Sequence, residues 1–219
     1  MSDGLSSLYL QKLKDAVIGC DLDNVEKIAQ EALSAGVKPV EAIQEGLAKG
    51  IKEVGERFGR GEAYLPELVM SANVMKKGVA VIKPHIPKGT SISTLGKVVI
   101  GTVEGDIHDI GKSLVGTILG TSGFDVVDLG VDVPSERFIK AVSEGQVKIL
   151  GMSALMTTTM VKMPEVVSEM ASKGIRRNVV IMVGGAPTTK EWAKEIGADA
   201  QAGDAVEASQ LASDLLKGR

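Results

Sequence analysis

Cysteine is nearly absent: Cys20 is the only one in 219 residues. A disulfide framework and a cysteine-based metal centre are both excluded within one chain. Reduced thiols suit a cytoplasmic protein, which is the expectation here. Charge of one sign is also missing. Twenty-five basic residues face 28 acidic ones, for a formal net charge of -3, and no basic block stands out. Nucleic acid is therefore a poor guess for a partner. Long apolar runs are lacking, so no membrane span is expected. The opening MSDGLSSLYLQKLKD has no charged segment followed by an apolar one, so no secretion signal is expected either. Aromatics are scarce at 3%, while glycine is frequent at 26 residues, which suits a domain with many tight turns. What is present is ordinary for a globular protein, 44% hydrophobic and 24% charged. The length allows one large domain or two small ones.

The chain changes character near residue 90. Before that point the apolar spacing is helical. Leu10, Leu13 and Val17 mark a first helix. Asp23 and Glu26 read as a capping pair opening a second, which Gly36 ends. Val40, Ile43, Leu47, Ile51, Val54 and Phe58 recur at steps of three or four on a third. Leu65, Leu68, Val69, Ala72, Met75, Val79 and Ile82 mark a fourth. Four amphipathic helices with short connections predict a bundle. The segment HIPKGTSISTLGK, residues 85–97, is rich in Pro, Gly, Ser and Thr and reads as a linker. After it come short apolar runs: KVVIGTV (97–103), FDVVDLG (124–130), VKILGMS (147–153), NVVIMVG (178–184) and a weaker DAQAG (199–203). Near-continuous apolar strands alternating with helical segments predict a parallel sheet buried on both faces. The expected order is 2-1-3-4-5, with a ligand at the carboxyl ends of the strands. The expected division is a helical domain over 1–86, a linker over 87–96 and an α/β domain over 97–219.

The loop after the first of these strands, EGDIHDIGKS, spans Glu104 to Ser113. Only two histidines exist in the chain, and His108 is here. A lone loop histidine is usually just solvated. Asp106, two residues earlier, changes that reading. A carboxylate that accepts a bond from one imidazole nitrogen fixes the tautomer and raises the basicity of the other. No second His or Cys lies nearby to complete a zinc site. One histidine with one orienting carboxylate suits a metal whose other ligands come from a macrocycle.

Gly105 and D-I-H-D-I-G (Asp106, His108, Asp109, Ile110, Gly111) resemble the D-x-H-x-x-G motif of cobalamin-binding domains. Three further segments resemble the same family. MSALMTTTM, residues 152–160, resembles its S-x-L-x-T segment, with Ser153, Leu155 and Thr157 in place. VGGAP, residues 183–187, supplies Gly184 and Gly185. AGDAVEA from Ala202 resembles the last strand-to-helix turn through Gly203 and Asp204. In the helical half, RFGRGEAYLPEL (57–68) resembles the cap of methyl-transferring members, with Phe58 and Leu65 at the covering positions. The resemblance thus runs over nearly the whole chain. It is to the corrinoid proteins of three-component methyltransferase systems, such as those for methylamines, methanol or glycine betaine, and to the corresponding region of methionine synthase.

The resemblance implies an α/β fold: a four-helix cap bundle, then a flavodoxin-like (Rossmann-like) five-stranded B12-binding domain. It implies cobalamin as cofactor, in a methylcobalamin or cobamide form, with His108 as the lower ligand of cobalt. Asp106 and a hydroxyl at Thr159, where methionine-synthase-like members carry serine, would complete a proton relay. Ser153, Leu155, Thr157, Gly184 and Gly185 would line the channel for the displaced nucleotide tail. Phe58 and Leu65 would shield the upper, methyl-bearing face and swing aside in turnover, hinged at Gly89 and Gly96. Such a carrier cycles between Co(I) and methyl-Co(III). It implies a substrate-specific barrel methyltransferase, a second methyltransferase acting on tetrahydrofolate or coenzyme M, and a corrinoid reactivation protein. An adenosylcobalamin mutase subunit and a B12-based sensor share the corrinoid half; the Phe58–Leu65 cap argues against the first, and no DNA-binding module supports the second. A flavodoxin-like binding domain with no corrin is the reading from outside the family. His85, in PHIP with no carboxylate nearby in sequence, reads as a surface residue.

Overall fold

A computed structural model of the chain describes residues 2–87 and 94–218. It divides into two compact units, Met1–Ser93 with Thr121–Gly123, and Thr94–Gly120 with Phe124–Arg219. Gly89 lies outside the described residues. Gly96 is described and takes a φ of 140°, a conformation reserved for glycine.

The first unit holds α1 (Ser2–Ile18), α2 (Val25–Ser34), α3 (Pro39–Glu41), a π-helical stretch (Ala42–Leu47), α4 (Ala48–Gly59) and α5 (Leu65–Ile82). A 3₁₀ turn follows over Lys83–His85, and His85 is exposed. The predicted third helix is thus one continuous helical run with a π segment inside it. That widening spans Ala42–Leu47 and leaves Ile43 and Leu47 buried. The predicted Asp23–Glu26 capping pair is not formed. The N-cap is Asn24, and its backbone N–H donates to the Asp21 carboxylate at 3.1 Å. Glycines let the helices meet closely. A Cβ at Gly50 would lie 2.7 Å from the Lys14 carbonyl, and one at Gly78 would lie 2.9 Å from Leu47. Around them pack Leu13, Val17, Leu47, Ile51, Leu68 and Ile82, all almost fully buried. The buried residues of α5 are Leu68, Ser71, Ala72, Val74, Gly78 and Ile82. Leu65 and Val69, expected on that face, are instead exposed.

The second unit is a sheet of β1 (Lys97–Thr102), β2 (Asp125–Asp128), β3 (Val147–Ser153), β4 (Val180–Gly184) and β5 (Ala200–Ala202). All neighbours are parallel and the order is β2-β1-β3-β4-β5, as predicted. Helices α6 (Ile110–Thr121), α7 (Ser135–Gly145), α8 (Thr157–Met160), α9 (Lys162–Ser172), α10 (Lys190–Glu195) and α11 (Ala205–Lys217) connect the strands and flank the sheet. The alternation of β1, β3 and β4 splits the core in two. Val99, Leu150, Met152, Ile181 and Val183 face Phe138, Met163, Val166 and Met170 of α7 and α9. Val98, Ile100, Ile149, Val180 and Met182 face Leu119, Ala208 and Ala212 of α6 and α11. The strand β2 departs from the expectation of burial on both faces. It is the edge strand, and Asp125, Val127 and Asp128 are exposed. Order 2-1-3-4-5 reverses direction between β1 and β3, so the loops after those two strands open beside each other.

Phe138 is fully buried in the first of these cores. Its replacement by alanine should cost about 3–5 kcal/mol. Trp192 is the single tryptophan and packs against the same core, so denaturant unfolding followed by its fluorescence reads that loss in the α/β unit.

Candidate functional site

The loop between β1 and α6 is organised by one carboxylate. Asp106 has no exposed surface, yet its side chain is charged by chemistry and satisfied by four donors. Its Oδ1 accepts from His108 Nδ1 at 2.7 Å and from the His108 backbone N–H at 3.0 Å. Its Oδ2 accepts from Thr159 Oγ1 at 2.7 Å and from the Leu155 backbone N–H at 2.8 Å. Burial alone would push this carboxyl up. The Thr159 hydroxyl and the backbone and side-chain donors from His108 and Leu155 outweigh it, and hold the group well below the usual carboxylate range. An ionised Asp106 makes Nδ1 of His108 the protonated nitrogen, which leaves Nε2 with its lone pair free to bind a metal. The His108 side chain is 47% exposed while its carboxylate partner is sealed.

The neighbouring chain shapes this loop. Gly105 turns it with a φ of 80°. Thr102, buried at the end of β1, donates its hydroxyl to the His108 carbonyl at 2.9 Å. The Thr159 methyl fits: even a Cβ added at Gly105 would lie 3.5 Å from it, an ordinary contact. Ile107, Ile110, Leu155, Met156 and Val131 are exposed apolar residues, each on this loop, at the end of β3 or beside Asp132. An apolar rim of this kind with a histidine in it suits the face of a flat macrocycle. Ile107, Val131 and Met156 carried no signal in sequence beyond hydrophobicity.

On the α6–α11 side of the sheet lies a cavity of about 270 Å³. Its wall includes Gly151 and Ser153 of β3, Gly184 of β4, Gly111 of α6, and Gly203 and Asp204 before α11. Lack of side chains is what opens it. A Cβ at Gly111 would meet nothing within 4 Å, and one at Gly184 would make only an ordinary contact. Gly185 also borders the cavity, but its own backbone explains it: φ is 115°, and a Cβ would stand 1.8 Å from the Ala154 carbonyl. Leu155 and Thr157 are exposed at the start of α8 and are not on the cavity wall. Asp204 caps α11, accepting from the backbone N–H groups of Val206 and Glu207 at 2.9 and 2.8 Å. Asp109 and Ile110 are exposed where α6 begins. The sequence gives no sign of a role for Lys112. It is buried on the cavity wall and donates to both Asp128 oxygens, at 2.5 and 2.6 Å.

In the helical unit, Phe58 is half-buried near the end of α4 and Leu65 is 39% exposed at the first position of α5. Tyr64, Val69 and Met70 are exposed beside Leu65 in sequence. Glu67 accepts from the Tyr64 backbone N–H at 2.7 Å and so fixes this helix start.

Residues 96–212 match the B12 binding domain family, and residues 9–83 match a second family of the same description. The chain belongs to the B12-binding family. This B12-binding protein is 47% identical over 207 residues to the dimethylamine corrinoid protein of Methanosarcina barkeri, covering 94% of this chain and 97% of that one. It is 47% identical over 191 residues to the trimethylamine corrinoid protein of the same organism, covering 87% and 88%. Among solved structures it resembles the methanol:cobalamin methyltransferase complex MtaBC of M. barkeri, with a TM-score of 0.88 and 31% identity over 96% of this chain and 80% of that one. The M. barkeri monomethylamine corrinoid protein matches with a TM-score of 0.55 and 37% identity, over 95% and 99%.

The residues present fit a corrinoid. Among the described residues no group of three or more His, Cys, Asp or Glu could hold a metal ion, so a metal at His108 must bring its other ligands with it. Cobalamin does so, and the glycine-lined cavity beside the loop offers room for a nucleotide tail.

Removing the Thr159 hydroxyl leaves buried Asp106 one donor short. Thr159→Val should therefore destabilise the α/β unit by about 1–3 kcal/mol, and Thr159→Ser should restore most of it. Unfolding monitored at Trp192 distinguishes the two.

Proposed function

We propose that the protein is a corrinoid methyl carrier of a methylamine-type methyltransferase system. The observation that carries this reading is the His108–Asp106–Thr159 chain of hydrogen bonds opening beside a glycine-lined cavity. When bound, the corrinoid supplies a cobalt centre able to accept a methyl group and give it up again.

The chain's own residues supply the setting. His108 Nε2 would hold the cobalt. Asp106 stays ionised and holds the proton at His108 Nδ1, which keeps Nε2 basic. Thr159 holds Asp106 from the other side. Uptake of a proton by Asp106 itself would require one of its four donors to turn away, so with the carboxylate ionised and Nδ1 already protonated, a proton taken up here would go to His108 Nε2 when that nitrogen is free of the metal. Ser153, Gly184, Gly185, Gly203 and Asp204 accommodate the nucleotide tail, with Gly111 at the loop end. Leu155 contributes its backbone N–H to Asp106, and Thr157 opens the short helix that carries Thr159. Gly105, Asp109 and Ile110 shape the loop around the ligand. Phe58 and Leu65 would shield the bound corrin from water. Exposure of Leu65 away from the bundle core supports that role. The functional division is a cap over 1–86, a linker over 87–96 and a cobalamin-binding domain over 97–219.

The donor is a methylamine, because dimethylamine and trimethylamine corrinoid proteins are so similar along nearly their whole length. A barrel methyltransferase selects that donor. A second methyltransferase passes the methyl group to coenzyme M or tetrahydrofolate, and a reactivation protein restores reduced cobalt. No described helix is long and apolar enough to cross a membrane, and the cytoplasm is the proposed compartment. No observation favours a mutase subunit or a sensor.

Protein reconstituted with cobalamin and reduced should be methylated by a dimethylamine or trimethylamine methyltransferase in the presence of its amine, seen as a change in cofactor absorbance. Retained corrinoid with methylation only by a methanol methyltransferase would overturn the donor class. Retained corrinoid that no methyltransferase methylates would overturn the carrier reading.

A further inference from the structure

Among the described residues three non-glycine positions adopt a left-handed backbone, and Asp132, with a φ of 50°, is one of them. It lies in the turn between β2 and α7. Aspartate tolerates this region better than most residues, usually because its carboxylate bonds to backbone nearby. Here the carboxylate reaches elsewhere. Its Oδ1 accepts from the backbone N–H of Gly105 at 2.7 Å, 27 residues away in sequence. The backbone N–H of Asp132 donates to the Asp106 carbonyl at 2.9 Å. The two bonds bracket residues 105 and 106, the turn that delivers the Asp106 side chain to His108.

The attachment behind Asp132 is rigid. Val133 forms a parallel bridge with Val103, and its N–H donates to the Thr102 carbonyl at 3.0 Å. Thr102 in turn holds the His108 carbonyl through its hydroxyl. The four donors on the Asp106 carboxylate fix its orientation toward His108, Leu155 and Thr159. Asp132 fixes where its backbone stands. A charged acceptor at 2.7 Å is the stronger kind of hydrogen bond, and a left-handed non-glycine residue is kept only where the surroundings hold it.

We propose that Asp132 is a positioning residue for the axial histidine: through the Gly105 N–H, its carboxylate sets the placement of Asp106 and hence of His108 Nε2. The inference rests on His108 being the lower ligand. It concerns a residue in a different loop from the motif.

The test uses the full chain reconstituted with methylcobalamin, with absorbance reading the fraction whose cobalt has lost its lower nitrogen ligand. Four proteins are compared: wild type, Asp132→Asn, Asp132→Gly and His108→Gly. Asparagine and glycine both accept the left-handed turn, so neither should unfold the loop. Asparagine keeps an acceptor for Gly105; glycine removes it. The unligated fraction should rise about tenfold in Asp132→Gly, stay near wild type in Asp132→Asn, and be complete in His108→Gly. A ligated wild type with an unchanged Asp132→Gly overturns the role of Asp132 alone. A wild type that is already unligated overturns the His108 assignment and this role with it.

Discussion

A carboxylate with no exposed surface must be paid for by its hydrogen bonds, and Asp106 has its four acceptor positions filled. Two donors come from its own loop and two from the end of β3 and the start of α8. The sheet order puts β1 beside β3, and that adjacency is what brings the two sets together. The doubly wound topology, the glycine turn at Gly105 and the hydroxyl of Thr159 all serve this one group. Its ionised state then dictates the tautomer of His108. A structural demand, satisfying a buried charge, and a chemical one, presenting a basic Nε2, are met by the same bonds.

The cavity follows from the same sheet in another way. On its α6–α11 face, the small residues Gly151, Ser153 and Gly184 toward the carboxyl ends of β3 and β4 line the cavity together with the apolar Val98, Ile100, Ile149 and Met182. On the cavity wall, Lys112 is a buried ammonium held by both carboxylate oxygens of Asp128, whose own side chain is exposed on the edge strand. Removing Asp128 would leave the buried Lys112 ammonium without its carboxylate, which is costly.

Much of this was legible in sequence, for identifiable reasons. Near-continuous apolar strands and alternating helices dictate a parallel sheet, and the spacing Asp106-x-His108 places two groups on one turn. Other features depend on contacts between distant residues. Asp132 acts on Gly105 across 27 positions, and nothing in VDVP marks it. Lys112 reads as an ordinary helix lysine until the fold turns it toward Asp128. The edge position of β2 is invisible because Val126 and Val127 look like the valines of β1. Gly185 shows the converse: its Gly-Gly pattern suggests room for a ligand, yet the Ala154 carbonyl already requires glycine there. The Asp23–Glu26 pair had the right residue types, but the chain starts its helix after Asn24.

The central claim is that a histidine nitrogen of this loop binds cobalt from below. Electron paramagnetic resonance of the Co(II) form tests it most directly, in protein reconstituted with cobalamin and labelled with ¹⁵N-histidine. Only His85 and His108 carry label, and His85→Gln removes the first. The account predicts splitting by one nitrogen that changes from the ¹⁴N to the ¹⁵N pattern on labelling and persists in His85→Gln. A spectrum without nitrogen splitting, or one that labelling leaves unchanged, contradicts it.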